Sequence, residues 1–332
     1  MTSVEHARPA KALVEALRVD VEDALANLIP EQKPESLYAP ARYVLSGGGK
    51  RLRPVLLLLT AEAFGTTRQQ AMPAALAVEV FHNFTLVHDD IMDNADTRRG
   101  NPTIHTKWDE STAILSGDYL MGLSYQLLAA TPAGNQARMQ QVYHRMVQRL
   151  CEGQALDKDF ETRSDVTVDE YIQMIDGKTA ALLEAVFELG GLVGNCDQAA
   201  QEKLQLLGQA VGRAFQIQDD LLDITAATAK WGKKIGGDLI EGKKTYLLLR
   251  ALESDNEVAR AFFEKIVAHN GLAEDKIPKA KQLLEENGIL NDAKQAVLHH
   301  TSIAQDCLQV LGDSEAAATV RWLLDAMQTR LH

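Results

Sequence analysis

Two aspartate strings hold most of the chemistry available to this 332-residue chain. Asp89, Asp90 and Asp93 lie in the run that begins at Leu86, and Asp219, Asp220 and Asp223 in the run that begins at Ile217. Both read D-D-x-x-D, and each sits near the C-terminal end of a stretch with helical apolar spacing. At about 100° per residue, positions i, i+1 and i+4 fall within an arc of roughly 100°, so all three carboxylates are expected on one face. Like charges at that spacing cost about 0.2–0.5 kcal/mol even in water. In apolar surroundings each ion loses several kcal/mol of hydration unless a cation compensates. Oxygen donors with no His or Cys among them suit Mg²⁺ or another hard cation. One triplet alone reads most simply as a solvated acidic face, whereas two of identical spacing on apolar runs point to metal. An EF-hand is excluded, since its loop alternates ligands around a central glycine.

Cations cluster beside both strings. Lys50, Arg51 and Arg53 follow three glycines at 47–49; Arg98 and Arg99 follow the first triplet; Lys178 and Thr179 lie in a helical stretch; Lys233, Lys234, Lys243 and Lys244 follow the second. Arginine offers a two-pronged donor matched to phosphate, lysine a mobile point charge. Neither glycine–lysine string is a P-loop. Gly237 to Lys243 is followed by Lys244 where Ser or Thr is needed, Gly47 to Lys50 by Arg51, and neither follows a strand.

The elements that carry these residues read as helices. Leu13, Val14, Leu17, Val21 and Leu25 form an amphipathic stripe. From Met72 to Asp93 the pattern is apolar on most sides, which predicts an interior helix. Further helical runs cover Ala113–Ala130, Val168–Val193, Ala199–Ile224 and Leu290–Leu311. Breaks fall at Ser46–Gly49, Gly100–Pro102, Thr131-Pro132 and Gly236-Gly237. No alternating strand pattern is evident. The expectation is one all-α domain, 1–332, of long helices around a central cavity.

Composition narrows the function. With 34 basic and 46 acidic residues the net charge is −12, which argues against a nucleic-acid partner and requires local cations for any anionic substrate. An apolar fraction of 46% excludes disorder. Cys151, Cys196 and Cys307 form no metal or disulfide pattern and fit a reducing compartment. No apolar run is long enough for a transmembrane segment, and residues 1–10 lack a signal-peptide core. The expected setting is cytoplasmic.

Taken in order, these strings resemble the trans-isoprenyl diphosphate synthases, the short-chain prenyltransferases of the farnesyl and geranylgeranyl diphosphate synthase type. The match runs from Gly47-Gly-Gly-Lys-Arg-Leu-Arg-Pro through both aspartate motifs, Arg98-Arg99-Gly100, Lys178-Thr179 and Phe215-Gln216 to Gly242-Lys-Lys-Thr. The resemblance implies the isoprenoid synthase fold, with mostly antiparallel helices and a homodimer. It also implies Mg²⁺, three ions per site with Mn²⁺ able to substitute, and condensation of isopentenyl diphosphate with an allylic diphosphate. By position, Asp89, Asp93 and Asp219 would be the main metal ligands, assisted by Asp90, Asp220 and Asp223. Lys50, Arg53, His82 and Arg99 would hold isopentenyl diphosphate. Arg98, Lys178, Thr179, Gln216 and Lys233 would serve the allylic substrate, with Lys243 closing over it. His88 has no assignable role.

On that reading, cations stabilise the departing diphosphate, the double bond of isopentenyl diphosphate attacks the allylic cation, and an apolar cavity keeps water away. Phe215 or Phe84 would add cation–π support. Chain length is a packing matter. Phe84 lies about 7.5 Å and Phe81 about 12 Å along the axis before Asp89. A bulky floor at Phe84, with small Thr85 beside it, resembles the geranylgeranyl pattern and favours twenty carbons over fifteen. A class I terpene cyclase would replace the second motif by an N-D-x-x-S-x-x-x-E string, absent here, and a silent regulatory subunit would lose one motif.

Overall fold

The computed structural model describes residues 3–133, 135–226 and 235–328, and among these it is helical almost throughout. The backbone gathers into two compact units. One comprises the residues up to Tyr143 with Val186–Leu204 and Val310–Leu323; the other comprises His144–Ala185, Gln205–Gln309 and the residues from Leu324 onward.

In the first unit the element order is α1 (Ser3–Ala26), α2 (Glu35–Leu45), α3 (Leu52–Ala63), α4 (Arg68–Met92), a hairpin of β1 (Thr97–Arg98) and β2 (Asn101–Pro102), α5 (Ile104–Lys107) and α6 (Glu110–Ala129). The helix expected from Met72 to Asp93 is α4, and it is interior as expected. Ala74, Ala75, Ala77, Val78, Val80 and Phe81 have no exposed surface. It starts at a capping box in which Thr67 and Gln70 satisfy each other's backbone N–H groups. Its walls are chiefly α6 and α3. In α3, Val55, Leu56, Leu57, Leu58 and Leu59 are all fully buried, and each such side chain stabilises the fold by about 1.5–3 kcal/mol. The hairpin falls at the break expected at Gly100–Pro102, where no strand was expected. Two residue pairs, Thr97 with Pro102 and Arg98 with Asn101, flank a turn at Arg99-Gly100 in which both residues have positive φ (53° and 78°), as a two-residue hairpin turn requires.

In the second unit, most of α7 (Gln136–Thr162) is followed by α8 (Val168–Ile175), a π-turn (Asp176–Ala180) and the start of α9 (Ala181–Val193). Then come the later part of α10 (Gln198–Thr225), α11 (Gly237–Ile240), α12 (Tyr246–Leu252), α13 (Glu257–Ala268), α14 (Ile277–Glu286) and α15 (Ile289–Cys307). The final helix, α16, is Glu315–Gln328. The sequence pattern reads 168–193 as one helix; the structure interrupts it with a wider turn. The unit's core joins Tyr171 of α8, Ile217 and Leu221 of α10, Leu248 of α12 and Phe263 and Ile266 of α13. No helix among the described residues is long and apolar enough to cross a membrane.

Candidate active site

In the first unit the acidic string ends α4. The helix stops at Met92, Asp93 is the C-cap, and Asn94 turns the chain with φ of 49°. Asp93 is exposed and Asp89 half-buried. Asp90 behaves differently from the common face expected for the three. Its side chain is 7% exposed and accepts from Arg98 Nε at 2.6 Å. One residue along a helix is a rotation of about 100°, and that rotation turns Asp90 inward to the β-hairpin while Asp89 and Asp93 share the outer face. Burial raises the Asp90 carboxyl, and Arg98 opposes the shift.

Beside this helix end the chain concentrates buried positive charge. Arg51, left-handed at φ 48°, caps the start of α3 and is buried against Glu79 of α4 at 2.7 Å, with a second donor on the Leu45 carbonyl. Arg53 donates from Nη1 to His82 Nε2 at 3.2 Å, and its own Nε is buried without a partner among the described residues. That contact makes His82 Nε2 an acceptor. Burial, then Arg53, Arg99, Arg98 and Arg51, hold the imidazole well below its usual pKa, so it is neutral. Burial also lowers the Arg53 and Arg99 guanidiniums, with positive neighbours adding to it. Arg99 donates to the Gly48 carbonyl, and a side chain at Gly49, whose φ is 145°, would meet its guanidinium within 2.9 Å. Lys50 is exposed on the same loop. The sequence pattern does not single out Glu79, and it groups Arg51 with the cations expected to bind phosphate. A lone carboxylate inside an apolar helical run was the available signal.

Upstream on α4, Phe81 is fully buried and Phe84 half-buried, their rings 5.2 Å apart. Phe84 also packs edge-on against His88 at 4.8 Å, and Phe81 against Tyr143 at 5.6 Å. Thr85 turns its hydroxyl back to the His82 carbonyl at 2.9 Å. His88 finds a role here: Nε2 lies 3.3 Å from the Ile114 carbonyl and 3.8 Å from Asp118, joining α4 to α6.

The second unit carries the other triplet on the last turns of α10. Asp220 is buried and accepts from Tyr171 Oη at 2.6 Å, the Tyr246 N–H at 3.0 Å and Gln216 Nε2 at 3.1 Å. Burial pushes its pKa up to about 6 against those three donors. The middle residue of this motif, like Asp90, is thus tied into the protein. Asp219 and Asp223 are half-buried, and Asp223 accepts the Asp238 N–H at 3.2 Å. Asp238, which the sequence pattern does not single out, is held at about 7 by burial and by the neighbouring Asp220, Asp223 and Asp219. So crowded an acidic field suits a cation.

Thr179 donates to Gln216 Oε1 at 3.0 Å, which makes a relay from Thr179 through Gln216 to Asp220. Lys178 is paired with Asp157 of α7 at 2.5 Å, a partner the sequence did not disclose. Lys243 is exposed and paired with Glu241 at 2.8 Å, whereas Lys244 is buried with its ammonium on the Glu161 carbonyl. Lys233 and Lys234 lie outside the described residues. Phe215 borders a small apolar pocket with Val211, Ala214, Leu324 and Met327.

Among the described residues, no three His, Cys, Asp or Glu side chains close into a ready-made metal cage. The donor chemistry still fits Mg²⁺, which keeps several waters and takes one or two carboxylates together with phosphate oxygens.

An all-α frame with two carboxylate-bearing helix ends and a cluster of arginines suits a class of enzymes that handle anionic substrates. The polyprenyl synthetase family model matches residues 34–284. The chain is 38% identical to a geranylfarnesyl diphosphate synthase of Natronomonas pharaonis, over 99% of each. It is also 38% identical to a geranylgeranyl diphosphate synthase of Methanosarcina mazei, over 93% of this chain and 94% of that one. The crystal structure of a geranylgeranyl pyrophosphate synthetase from Pyrococcus horikoshii superposes with a TM-score of 0.87 at 36% identity, covering 96% and 98% of the two chains. The chain belongs to the polyprenyl synthetase family. It is a trans-prenyltransferase with the isoprenoid synthase fold.

Proposed function

We propose that this enzyme joins isopentenyl diphosphate to allylic diphosphates and releases chiefly the twenty-carbon geranylgeranyl diphosphate. The observation that carries the reading is half-buried Arg53, its Nε buried with no partner among the described residues and neutral His82 beside it. Buried cations without enough carboxylates require an anion, and a diphosphate supplies both the charge and the acceptors.

Asp89 and Asp93 on one helix and Asp219 and Asp223 on the other would hold Mg²⁺, three ions being the expected number. Bound there, Mg²⁺ would supply the positive charge that makes diphosphate a good leaving group. Asp90 and Asp220 act from behind, fixing the two helix ends through Arg98 and through Tyr171 and Gln216. Lys50, Arg53 and Arg99 bind the diphosphate of isopentenyl diphosphate, and His82 orients Arg53. Arg98, Lys178, Thr179 and Gln216 serve the allylic diphosphate, with Lys243 closing over it; Lys233, given the first role from the sequence, lies outside the described residues. Loss of diphosphate leaves an allylic cation that the isopentenyl double bond attacks, and a proton then passes to the released diphosphate. Apolar α4 side chains keep water from the cation. Phe84, wedged between Phe81 and His88, is the floor that ends growth.

We take 1–332 as one catalytic domain, in a cytoplasmic setting supported by three cysteines that form no disulfide among the described residues. A homodimer is supported by exposed apolar side chains on α6, Ile114 at 41% and Leu115 at 60%. Light scattering of the purified protein tests it.

The enzyme is tested with Mg²⁺, isopentenyl diphosphate and starters of five, ten and fifteen carbons. Asp89→Ala and Asp219→Ala each should lower turnover at least a hundredfold with the circular dichroism spectrum intact. Near-normal activity in either overturns the assignment. Phe84→Ala should give longer products, and unchanged chromatograms would place the floor elsewhere.

A further inference from the structure

The π-turn at Asp176–Ala180 is the feature the reaction scheme leaves unexplained. The Ala181 N–H reaches back five residues to the Asp176 carbonyl, where an α-helix would reach back four. One residue is thereby added to the turn, which rotates α9 by about 100° relative to an uninterrupted helix. Lys178 and Thr179 lie inside that turn. The wider turn gives up regular α geometry, so something must hold it.

Asp176 is what is held. Arg213 of α10 donates Nε to Oδ1 at 2.7 Å and Nη2 to Oδ2 at 2.6 Å, a two-pronged pair, and Gln209 reaches the same carboxylate at 3.4 Å. Both side chains of the pair are largely buried, at 16% and 25% exposure, so solvent screens it weakly. Arg149 of α7 donates to the Asp176 carbonyl at 3.2 Å and with its other arm to Glu184. Backbone contact closes the rest: a Cβ on Gly153 would lie 2.2 Å from the Lys178 nitrogen, and one on Gly212 2.5 Å from the Ala180 Cα. Lys178 and Thr179 make their own side-chain contacts elsewhere, with Asp157 and Gln216. The pair and the two residues it would aim are thus joined by the backbone of the turn.

We propose that the Asp176–Arg213 pair positions the allylic diphosphate by locking the π-turn that aims Lys178 and Thr179. This rests on the reading of those two residues as part of the allylic site. The pair acts through the backbone, and it should affect one substrate and spare the other.

Steady-state kinetics with each substrate varied in turn test this on Asp176→Ala, Arg213→Ala, the double variant and Arg213→Lys, with Lys178→Ala alongside. Each alanine variant should raise KM for the allylic diphosphate at least tenfold and leave KM for isopentenyl diphosphate within twofold. The double variant should be no worse than the singles, as expected of a coupled pair, and Arg213→Lys should recover part of the loss. Asp176→Asn serves in the same way if Asp176→Ala does not fold. An unchanged allylic KM in the Asp176 and Arg213 variants, or equal rises for both substrates, overturns the proposal provided Lys178→Ala raises the allylic KM. An unchanged allylic KM in Lys178→Ala instead overturns the assignment of the site beneath it.

Discussion

Arg51 is buried at a left-handed backbone position, and Glu79 is the partner that makes this tolerable. Removing one member of a buried ion pair strands the other, at a cost of about 3–5 kcal/mol. Glu79→Ala should therefore lower the urea midpoint far more than a surface Glu→Ala such as Glu257→Ala, and a shift no larger than the surface control would contradict this account. Arg53 makes a different kind of demand, since its Nε is buried with no partner among the described residues. Arg53→Ala should raise KM for isopentenyl diphosphate at least tenfold while costing little stability, as read by kinetics and a thermal melt. At this scale the sequence shows which residue types cluster along the chain, but not which side chains each one meets. Asp89 and Asp93 share one face at the end of α4, as their i, i+4 spacing predicts. Asp90 and Asp220 look identical to their neighbours in sequence, yet their partners, Arg98 eight residues on and Tyr171 forty-nine residues back, turn them inward. Partners that distant leave no periodic trace.

Elements were more legible, because an apolar period of 3.6 repeats over many residues. Interior α4 follows from its own pattern, and so does the absence of long strands among the described residues. The π-turn does not, since a single added residue inside an apolar run leaves the local pattern helical. The α4–α6 crossing is tight for a reason equally hidden in sequence: a Cβ on Gly117 would lie 2.3 Å from His88 Nε2. Gly117→Ala should cost about 1–3 kcal/mol through overpacking. By displacing His88 from Phe84 it should also broaden the product distribution, which chromatography and a thermal melt together would show. In α15, burial draws the His300 pKa down to about 4, helped by Arg213 and His299 and opposed by Asp176. Unfolded histidine titrates near 6.5. Between those values the unfolded chain takes up a proton the folded chain refuses, so stability falls as pH drops from 6.5 towards 4. Wild type should lose more stability over that interval than His300→Gln, in paired urea titrations. Parallel curves would contradict the shift.

For the whole molecule, the net charge of −12 makes binding of an anion a local achievement against the overall field. If metal and diphosphate bind jointly at the aspartate motifs and the arginines, the two together should stabilise the fold far more than either alone. A ligand at a hundred times its Kd adds about 2.7 kcal/mol. Mg²⁺ plus inorganic pyrophosphate should raise the melting temperature by several degrees, and EDTA should abolish the rise; a shift with pyrophosphate alone would argue against shared binding. The β-hairpin at 97–102 bears on how such binding spreads. Arg98 is fastened to the end of α4 through Asp90, and the adjacent Arg99 to the glycine loop through the Gly48 carbonyl. Two neighbouring links of one short ribbon thus harness the acidic helix tip and the loop ahead of α3, and whichever arginine is pulled towards an incoming substrate must tug the other's tether with it.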